Sequence, residues 1–377
     1  MMYSIYMSQI LNSSMLKYYL EPIISSCELW KDKNLSVFII SNPASGGFTQ
    51  KKIAQKNKFI LESASNTAKE TSVVVKSIEF TLFDTEYAGH SDEFVDAIFD
   101  YYKKILSGND DNKVLIITAG GDGTSHEVQS ALLNLINQSE ENKNAVAKDF
   151  CIFRLPFGTG NDGSDGRNLE ESLLRINFPS HIELQKAVEV SCCGENGSKK
   201  TWYSFNIASI GIDAFVTHMT NKMKSKLPGD FYKLWVDIAC IFYGFVYKKV
   251  PALIEIFKDD KSIGTYDSKI EFALLGVSGH RTYGSNHLIL PTEENVCFTQ
   301  AVSLIKKLMI KHRFKDGTHY GKPYSVFYDA DMIKISYNEK ILVQLDGESH
   351  LLQKSDFPIV MKKTEPLIPT IVLDEQN

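Results

Sequence analysis

Gly120-Gly121-Asp122-Gly123-Thr124 places three glycines around one carboxylate and follows them with a hydroxyl. A turn stripped of side chains exposes backbone N–H groups, and a concave array of N–H groups is how a polypeptide cradles phosphate. Asp122 would repel a phosphate directly. Its presence inside the turn therefore points to a cation or a sugar hydroxyl lying between, and so to a metal-bound nucleotide or a ribose contact. Two further segments carry related chemistry. Asn42-Pro43-Ala44-Ser45-Gly46-Gly47 offers the Ser45 hydroxyl and glycine amides, and Gly158-Thr159-Gly160-Asn161-Asp162 offers a hydroxyl, an amide and a carboxylate within a few residues. No G-x-x-x-x-G-K-[ST] sequence occurs anywhere, which excludes a P-loop mechanism. Far downstream, Asp346-Gly347-Glu348 follows an apolar run. Asp-Gly is ordinary hairpin-turn chemistry, and a carboxylate beside such a turn could also serve as a general base.

The elements that must position these residues follow from periodicity. Val114-Leu115-Ile116-Ile117 has no polar alternation, which fits a strand buried on both faces of a parallel sheet. After the glycines, Thr124 as N-cap, Glu127 as its capping-box partner, and Val128, Ala131, Leu132, Leu135 and Ile136 predict a helix. The same grammar predicts strands over Val37–Ile40, within Val73–Phe83, and over Cys151–Leu155, with helices after the first two. Strands alternating with helices argue a doubly wound, mostly parallel sheet, in which ligands bind at the carboxyl ends of strands. Asn42–Gly47, Thr85–Gly89, Gly120–Thr124 and Gly158–Asp162 all fall at such ends.

Beyond about residue 180 short alternating runs follow one another, with hairpin-type turns such as Lys258-Asp259-Asp260-Lys261. This half reads as antiparallel β, a sandwich, interrupted by helical regions near Ala214–Val246 and Val302–Lys311. The expected division is a leader over 1–34, an α/β nucleotide-binding domain over 35–165, a β-rich domain over 166–362 and a tail over 363–377, with Gly163–Ser172 as the crossing. Two domains suit 377 residues, because single cores rarely grow beyond about 250–300.

A net charge of −5 gives no general attraction to nucleic acid or anionic lipid, so any such contact needs a local patch. One exists: Lys306, Lys307, Lys311, Arg313 and Lys315 are interleaved with Leu304, Ile305, Leu308 and Met309. It resembles an amphipathic helix able to touch anionic lipid, although a core helix with a solvated basic face is the more ordinary reading. The six cysteines show no metal-site spacing and read as reduced thiols. Neither a signal peptide nor a membrane anchor is indicated, since Leu234–Val246 is too short to span a bilayer and contains Asp237.

The order N-P-x-S-G-G, T-x-x-x-G-H, G-G-D-G-T-x-x-E-V, L-P-x-G-T-G-N-D and a late D-G-E, running from about Val37 to Lys362, resembles the diacylglycerol kinase catalytic family. These are soluble lipid kinases that include sphingosine kinases. The resemblance implies ATP and Mg²⁺, and a lipid acceptor presented at a membrane surface. A diacylglycerol-like lipid comes first, and sphingoid or other lipids remain open. Asn42, Thr85, Gly120, Gly121, Asp122, Gly123, Thr124, Ser125, His126 and Thr159 would bind ATP, and Ser45, Gly46 and Asn161 are expected to join them from their own chemistry. Glu348 would be the general base, Asp122 would orient the nucleotide or its Mg²⁺, and Asp122 and Asp346 are the expected metal carboxylates. The implied place is cytoplasmic, peripheral to the inner face of the membrane, with monomer and homodimer both open. The late D-G-E favours the lipid branch over NAD-kinase-like chemistry. A catalytically silent nucleotide or lipid sensor is the rival of another class. Gly163-Ser164-Asp165-Gly166-Arg167 stands where the family has Phe-Ala-Arg, which reads as a looser hinge. Pro291-Thr292-Glu293-Glu294-Asn295-Val296 lacks the Asp-Gly of the family's metal-holding loop.

Overall fold

The structure is a computed structural model that describes residues 11–158, 161, 163–166, 168–193, 199–224, 238, 241–283 and 287–374. The chain divides into two compact units. One comprises Met1–Gln185 with Pro366–Asn377, the other Lys186–Glu365.

The first unit is built on β1 (Asn34–Ser41), β2 (Ser77–Asp84), β3 (Asn112–Gly120), β4 (Phe150–Pro156), β5 (Ser180–Gln185) and the C-terminal strand Ile368–Leu373. Their order is β2-β1-β3-β4, then Ile368–Leu373, then β5. The first four pair in parallel, as does the C-terminal strand with β4, and β5 runs antiparallel at the edge. Val114, Leu115, Ile116 and Ile117 of β3 are all fully buried, as an unbroken apolar run requires of a strand covered on both faces. The helices are α1 (Ser13–Ser25), α2 (Gly46–Thr49), α3 (Lys51–Lys69), α4 (His90–Tyr101), α5 (Asp122–Ile136), α6 (Glu140–Asp149) and α7 (Leu169–Asn177). Helices α1, α3 and α7 pack together, α4 packs on α5, and α5 on α6. The chain thus leaves β1 toward the α3 side and leaves its neighbour β3 toward the α5 side. Such a switch point opens a crevice at the carboxyl ends of the two strands.

The expected boundaries shift for physical reasons. The leader is part of the core: Leu16, Leu20, Ile23 and Ile24 of α1 are buried with Leu61 of α3, each contributing about 1.5–3 kcal/mol over exposure. Likewise α7, β5 and the supposed tail belong to the first unit, because Ile368–Leu373 pairs along the whole length of β5. The division therefore falls at 185/186 and 365/366 rather than within Gly163–Ser172.

The second unit contains β6 (Val188–Cys193), β7 (Lys199–Ser204), β8 (Ile207–Gly211), β9 (Pro251–Lys258), β10 (Lys261–Gly276), β11 (Arg281–Tyr283), β12 (His287–Leu290), β13 (Val296–Gln300), β14 (Ser325–Tyr328), β15 (Met332–Tyr337), β16 (Ile341–Leu345), β17 (Glu348–Leu352) and β18 (Ile359–Lys363). All its pairings are antiparallel. The first half of β10 pairs with β9 and the second half with β8 and β13. Val343 of β16 and Val190 of β6, from distant parts of the sheet order, share one core cluster, so the sheet folds over itself into the expected sandwich. The Asp259–Asp260 turn has φ of 49° and 58°, the left-handed pair of a type I′ hairpin. Helix α8 (Ile212–Lys224) and a helical turn at 241–246 fall within the first expected helical region, of which 225–237 and 239–240 lie outside the described residues, and Leu304–Lys315 matches the second.

Candidate active site

In the first unit the strand-end segments are tied to one another through backbone. The Asn42 amide donates to the Ala119 carbonyl at 3.0 Å, and the Thr85 amide to the Ser41 carbonyl at 2.8 Å. The Gly47 amide donates to the Phe157 carbonyl at 2.7 Å, and the Phe157 amide to the Gly120 carbonyl at 2.9 Å. Glycine is required at these crossings. A Cβ on Gly47 would lie 2.8 Å from Phe157 Cα, one on Gly120 would lie 2.6 Å from Thr124 Cβ, and one on Gly121 would lie 3.3 Å from Gly158 Cα. Gly120→Ala is accordingly expected to destabilise the unit by about 1–3 kcal/mol and to weaken nucleotide binding. Thermal melting beside a nucleotide titration checks both.

Two side chains at the end of β1 add to the cradle. Asn42 Oδ1 accepts from the Ala44 amide at 3.0 Å, fixing the turn that Pro43 begins. Ser45 precedes α2, which Gly46 opens, and its Oγ is buried with no hydrogen-bond partner among the described residues. A buried hydroxyl without a partner carries a desolvation cost, which a phosphate oxygen placed there would relieve.

Helix α5 begins three residues before the expected start. Gly121 is the N-cap, no side chain caps it, and Asp122 stands in the first turn. Thr124 is buried inside the helix, and Glu127 accepts from the Gly89 amide at 2.9 Å instead of closing a capping box. An uncapped first turn leaves N–H groups and the positive end of the helix dipole available to an anion. Ser125 turns inward, with its Oγ 2.9 Å from Thr118 Oγ1, while His126 is half-buried in the next turn. Asp122 Oδ1 accepts from the Gly163 amide at 2.9 Å. Asn161 Oδ1 accepts from the Gly158 amide at 2.9 Å, and the Asn161 carbonyl accepts from Ser164 Oγ at 2.7 Å. Thr159 lies outside the described residues.

The segment expected to be a loose hinge is pinned. Asp165 Oδ1 accepts from Arg154 Nη2 at 2.6 Å and Nε at 3.2 Å, and Asp165 Oδ2 from the Arg154 amide at 2.5 Å. Gln129 of α5 closes the network by accepting from Arg154 Nη1 at 3.0 Å. The pair is buried, with side chains 8% and 1% exposed, and so is little screened by water. Sequence reasoning passed over Arg154, Gln129 and Asp165. A charged residue inside the apolar run Cys151–Leu155 was the available signal, since a buried charge needs a partner.

In the second unit Asp346 and Gly347, with φ of 49° and 95°, form the type I′ turn between β16 and β17, and Glu348 stands exposed at the start of β17. Asp346 faces inward. Its carboxylate accepts from Ser204 Oγ at 2.7 Å, from the amides of Asn206 and Ile207 at 3.1 Å each, and from the Phe205 amide. A carboxylate engaged by four donors is poorly suited to ligate a cation, so Asp346 is an anchor for this turn rather than a metal ligand. Gln344 holds the same turn, accepting from the Gly347 amide at 3.2 Å and donating to Ser209 Oγ at 2.9 Å, which in turn donates to Asp213. The Pro291–Val296 loop is likewise closed by protein partners: His280 Nε2 pairs with Glu293 at 2.9 Å, and Tyr320 donates to Glu294 at 3.1 Å. Among the described residues no group of three or more His, Cys, Asp or Glu could hold a metal ion by itself. Asp122 at the uncapped helix end is the carboxylate whose setting fits a nucleotide-borne cation.

Asp213 was also missed, though Ile207–Gly211 followed by Ile212-Asp213 repeats the strand–glycine–acid order seen at β3. Burial pushes its carboxyl up from 3.8 to about 6, against the lowering effect of hydrogen bonds led by that from Ser209. The folded state therefore holds this proton more tightly than the unfolded chain. The cost of ionised Asp213 is in full force above about pH 6 and is relieved as pH falls toward 4, a span of about 3 kcal/mol. Asp213→Asn is expected to raise the unfolding midpoint at pH 8 and to leave it nearly unchanged at pH 4, as read by urea titration at both values.

With this geometry established, comparison with known proteins is informative. The model describing the diacylglycerol kinase catalytic domain matches residues 36–178. The matched stretch runs from β1 to the end of α7 and contains Asn42, Ser45, Thr85, Asp122 and Asn161, while Asp346 and Glu348 lie beyond it. Relatives named "Probable lipid kinase YegS-like" from Yersinia pestis (strain Pestoides F) and Yersinia pseudotuberculosis serotype O:1b are each 32% identical over 119 residues, 31% of this chain. The match spans about a third, 35%, of those relatives' length. The crystal structure of a diacylglycerol kinase from Bacillus anthracis str. Sterne is similar in fold, with a TM-score of 0.51 and 16% identity over 89% of this chain and 96% of that one. No helix among the described residues is long and apolar enough to cross a membrane.

Proposed function

We propose that the protein is an ATP-dependent lipid kinase, transferring the γ-phosphate to a hydroxyl of a diacylglycerol-like lipid. The observation that carries this reading is the uncapped N-terminus of α5, set beside Gly47 and Gly120, where a Cβ would clash, with Asp122 in its first turn. That is a site for a polyphosphate with a cation, within a kinase-family domain. The amides of the Gly120–Gly123 turn and the Ser45 hydroxyl take phosphate oxygens, and Asp122 faces the cation. Mg²⁺ bound with the nucleotide would spread the charge that builds on the transferring group. Glu348 accepts the proton of the lipid hydroxyl as that oxygen bonds to the γ-phosphorus and the bond from phosphorus to the β,γ-bridging oxygen breaks, releasing ADP. The cytoplasmic face of a membrane is where such an acceptor would be met.

The test is transfer of label from γ-labelled ATP with Mg²⁺ onto diacylglycerol, sphingosine, ceramide and phosphatidylglycerol in mixed micelles. Label on one lipid class establishes the activity and names the acceptor. Label on NAD instead moves the chain to soluble nucleotide chemistry. ATP binding without transfer to any acceptor makes it a silent sensor.

A further inference from the structure

The helix Leu304–Lys315 is inverted relative to a core helix with a solvated basic face. Lys307 is buried at 8% exposure, while Ile305 is 73% and Met309 63% exposed. At about 100° per residue, Lys307, Ile310 and Phe314 share the inner face, where Phe314 meets Phe272 edge-on at 5.6 Å. Ile305 and Met309 lie opposite. Lys306 and Arg313 flank that ridge on one side, and Lys315 on the other.

A second apolar element adjoins it. In the helical turn at 241–246, Phe242 is 51%, Phe245 83% and Val246 50% exposed, while Tyr243 is buried. The two are fastened together from below. Glu271, 3% exposed, pairs with Lys249 at 2.6 Å and with Lys307 at 3.1 Å, and both ammonium groups lie within 6 Å of the Tyr243 ring, at 5.7 and 5.9 Å. A buried carboxylate shared by two lysines thus holds a surface whose outermost atoms are aromatic and aliphatic.

We propose that this face docks on an anionic phospholipid bilayer, with Phe245 and Ile305 entering the acyl boundary and Lys306 and Lys315 meeting the headgroups. Exposed apolar residues on two elements joined through a shared buried ion pair mark an interaction surface, and a ridge flanked by cations is the pattern of an interfacial helix. Charge selects the occupant. Neither 241–247 nor 304–315 contains an acidic residue, in a chain of net charge −5, so the patch is complementary to anionic headgroups and opposed in sign to the rest of the molecule. The inference deepens the lipid-kinase reading, because it names how a water-soluble chain would reach a bilayer-bound acceptor. Its test needs no turnover.

The experiment is co-sedimentation of the full chain with phosphatidylcholine vesicles, with and without phosphatidylglycerol, at low and high salt. Binding is expected only with phosphatidylglycerol and is expected to weaken with salt. Phe245→Ser with Ile305→Ser, and separately Lys306→Glu with Lys315→Glu, should each lower partitioning about tenfold or more while leaving the melting curve in place. Absence of wild-type binding, or binding that neither pair of substitutions changes, would overturn the proposal. So would a dimer in light scattering that Phe245→Ser dissociates, which would make a second copy the occupant. Phosphorylation of a water-soluble short-chain acceptor, measured on the same variants, separates failure of docking from failure of the kinase reading.

Discussion

Glu348→Gln is expected to lower label transfer about 10²–10⁴-fold, the range over which a positioned base contributes, while ATP binding stays at the wild-type level. The substitution keeps size and hydrogen-bonding reach and removes only the ability to take a proton. The hairpin that presents residue 348 does not depend on its charge, since Asp346 and Gln344 supply the holding contacts. Loss of turnover with an unchanged melting temperature would therefore report on chemistry. Retained turnover would remove Glu348 from the mechanism and return attention to Asp213, the carboxylate that Gln344 reaches through Ser209.

Asp165→Ala has the second large effect, in stability. Removing one member of a buried ion pair leaves the other charge without compensation and costs about 3–5 kcal/mol. Arg154 would lose both guanidinium contacts and the tie to its own amide. Urea titration should show the loss as a lower midpoint with an unchanged slope. Combining Asp165→Leu with Arg154→Met should restore part of it, because neither charge is then buried alone. If the single and double variants are equally unstable, the pair is not what holds this segment.

How legible the protein was depends on what each feature rests on. The parallel sheet and the positions of Asn42, Gly120–Thr124 and Asn161 were readable because apolar runs and glycine turns are local signals. The start of α5 was misplaced because a hydroxyl followed by a glutamate mimics a capping box, while the actual N-cap, Gly121, is chosen by its close approach to Gly158, a contact between distant residues. The Arg154–Asp165–Gln129 network and the duties of Asp346 depend on which backbone amides lie opposite, and spacing along the chain does not encode that. The helix Leu304–Lys315 misled in a different way. Its composition is that of a core helix, and only its packing reveals that the apolar side was left outward.

The return of Ile368–Leu373 to the first sheet has a consequence for how the protein is made. Its partners β4 and β5 leave the ribosome long before it does, with the whole β-rich unit synthesised in between. Until residues 368–373 emerge, β5 has no partner in its sheet, and the edge of β4 stays unpaired, the kind of open strand edge that invites pairing with another chain. The β-rich unit, contiguous in sequence, can complete its own core first. The first unit is begun first and finished last, so a nascent or truncated chain ending before Ile368 would carry every glycine turn of the candidate site on an unfinished sheet.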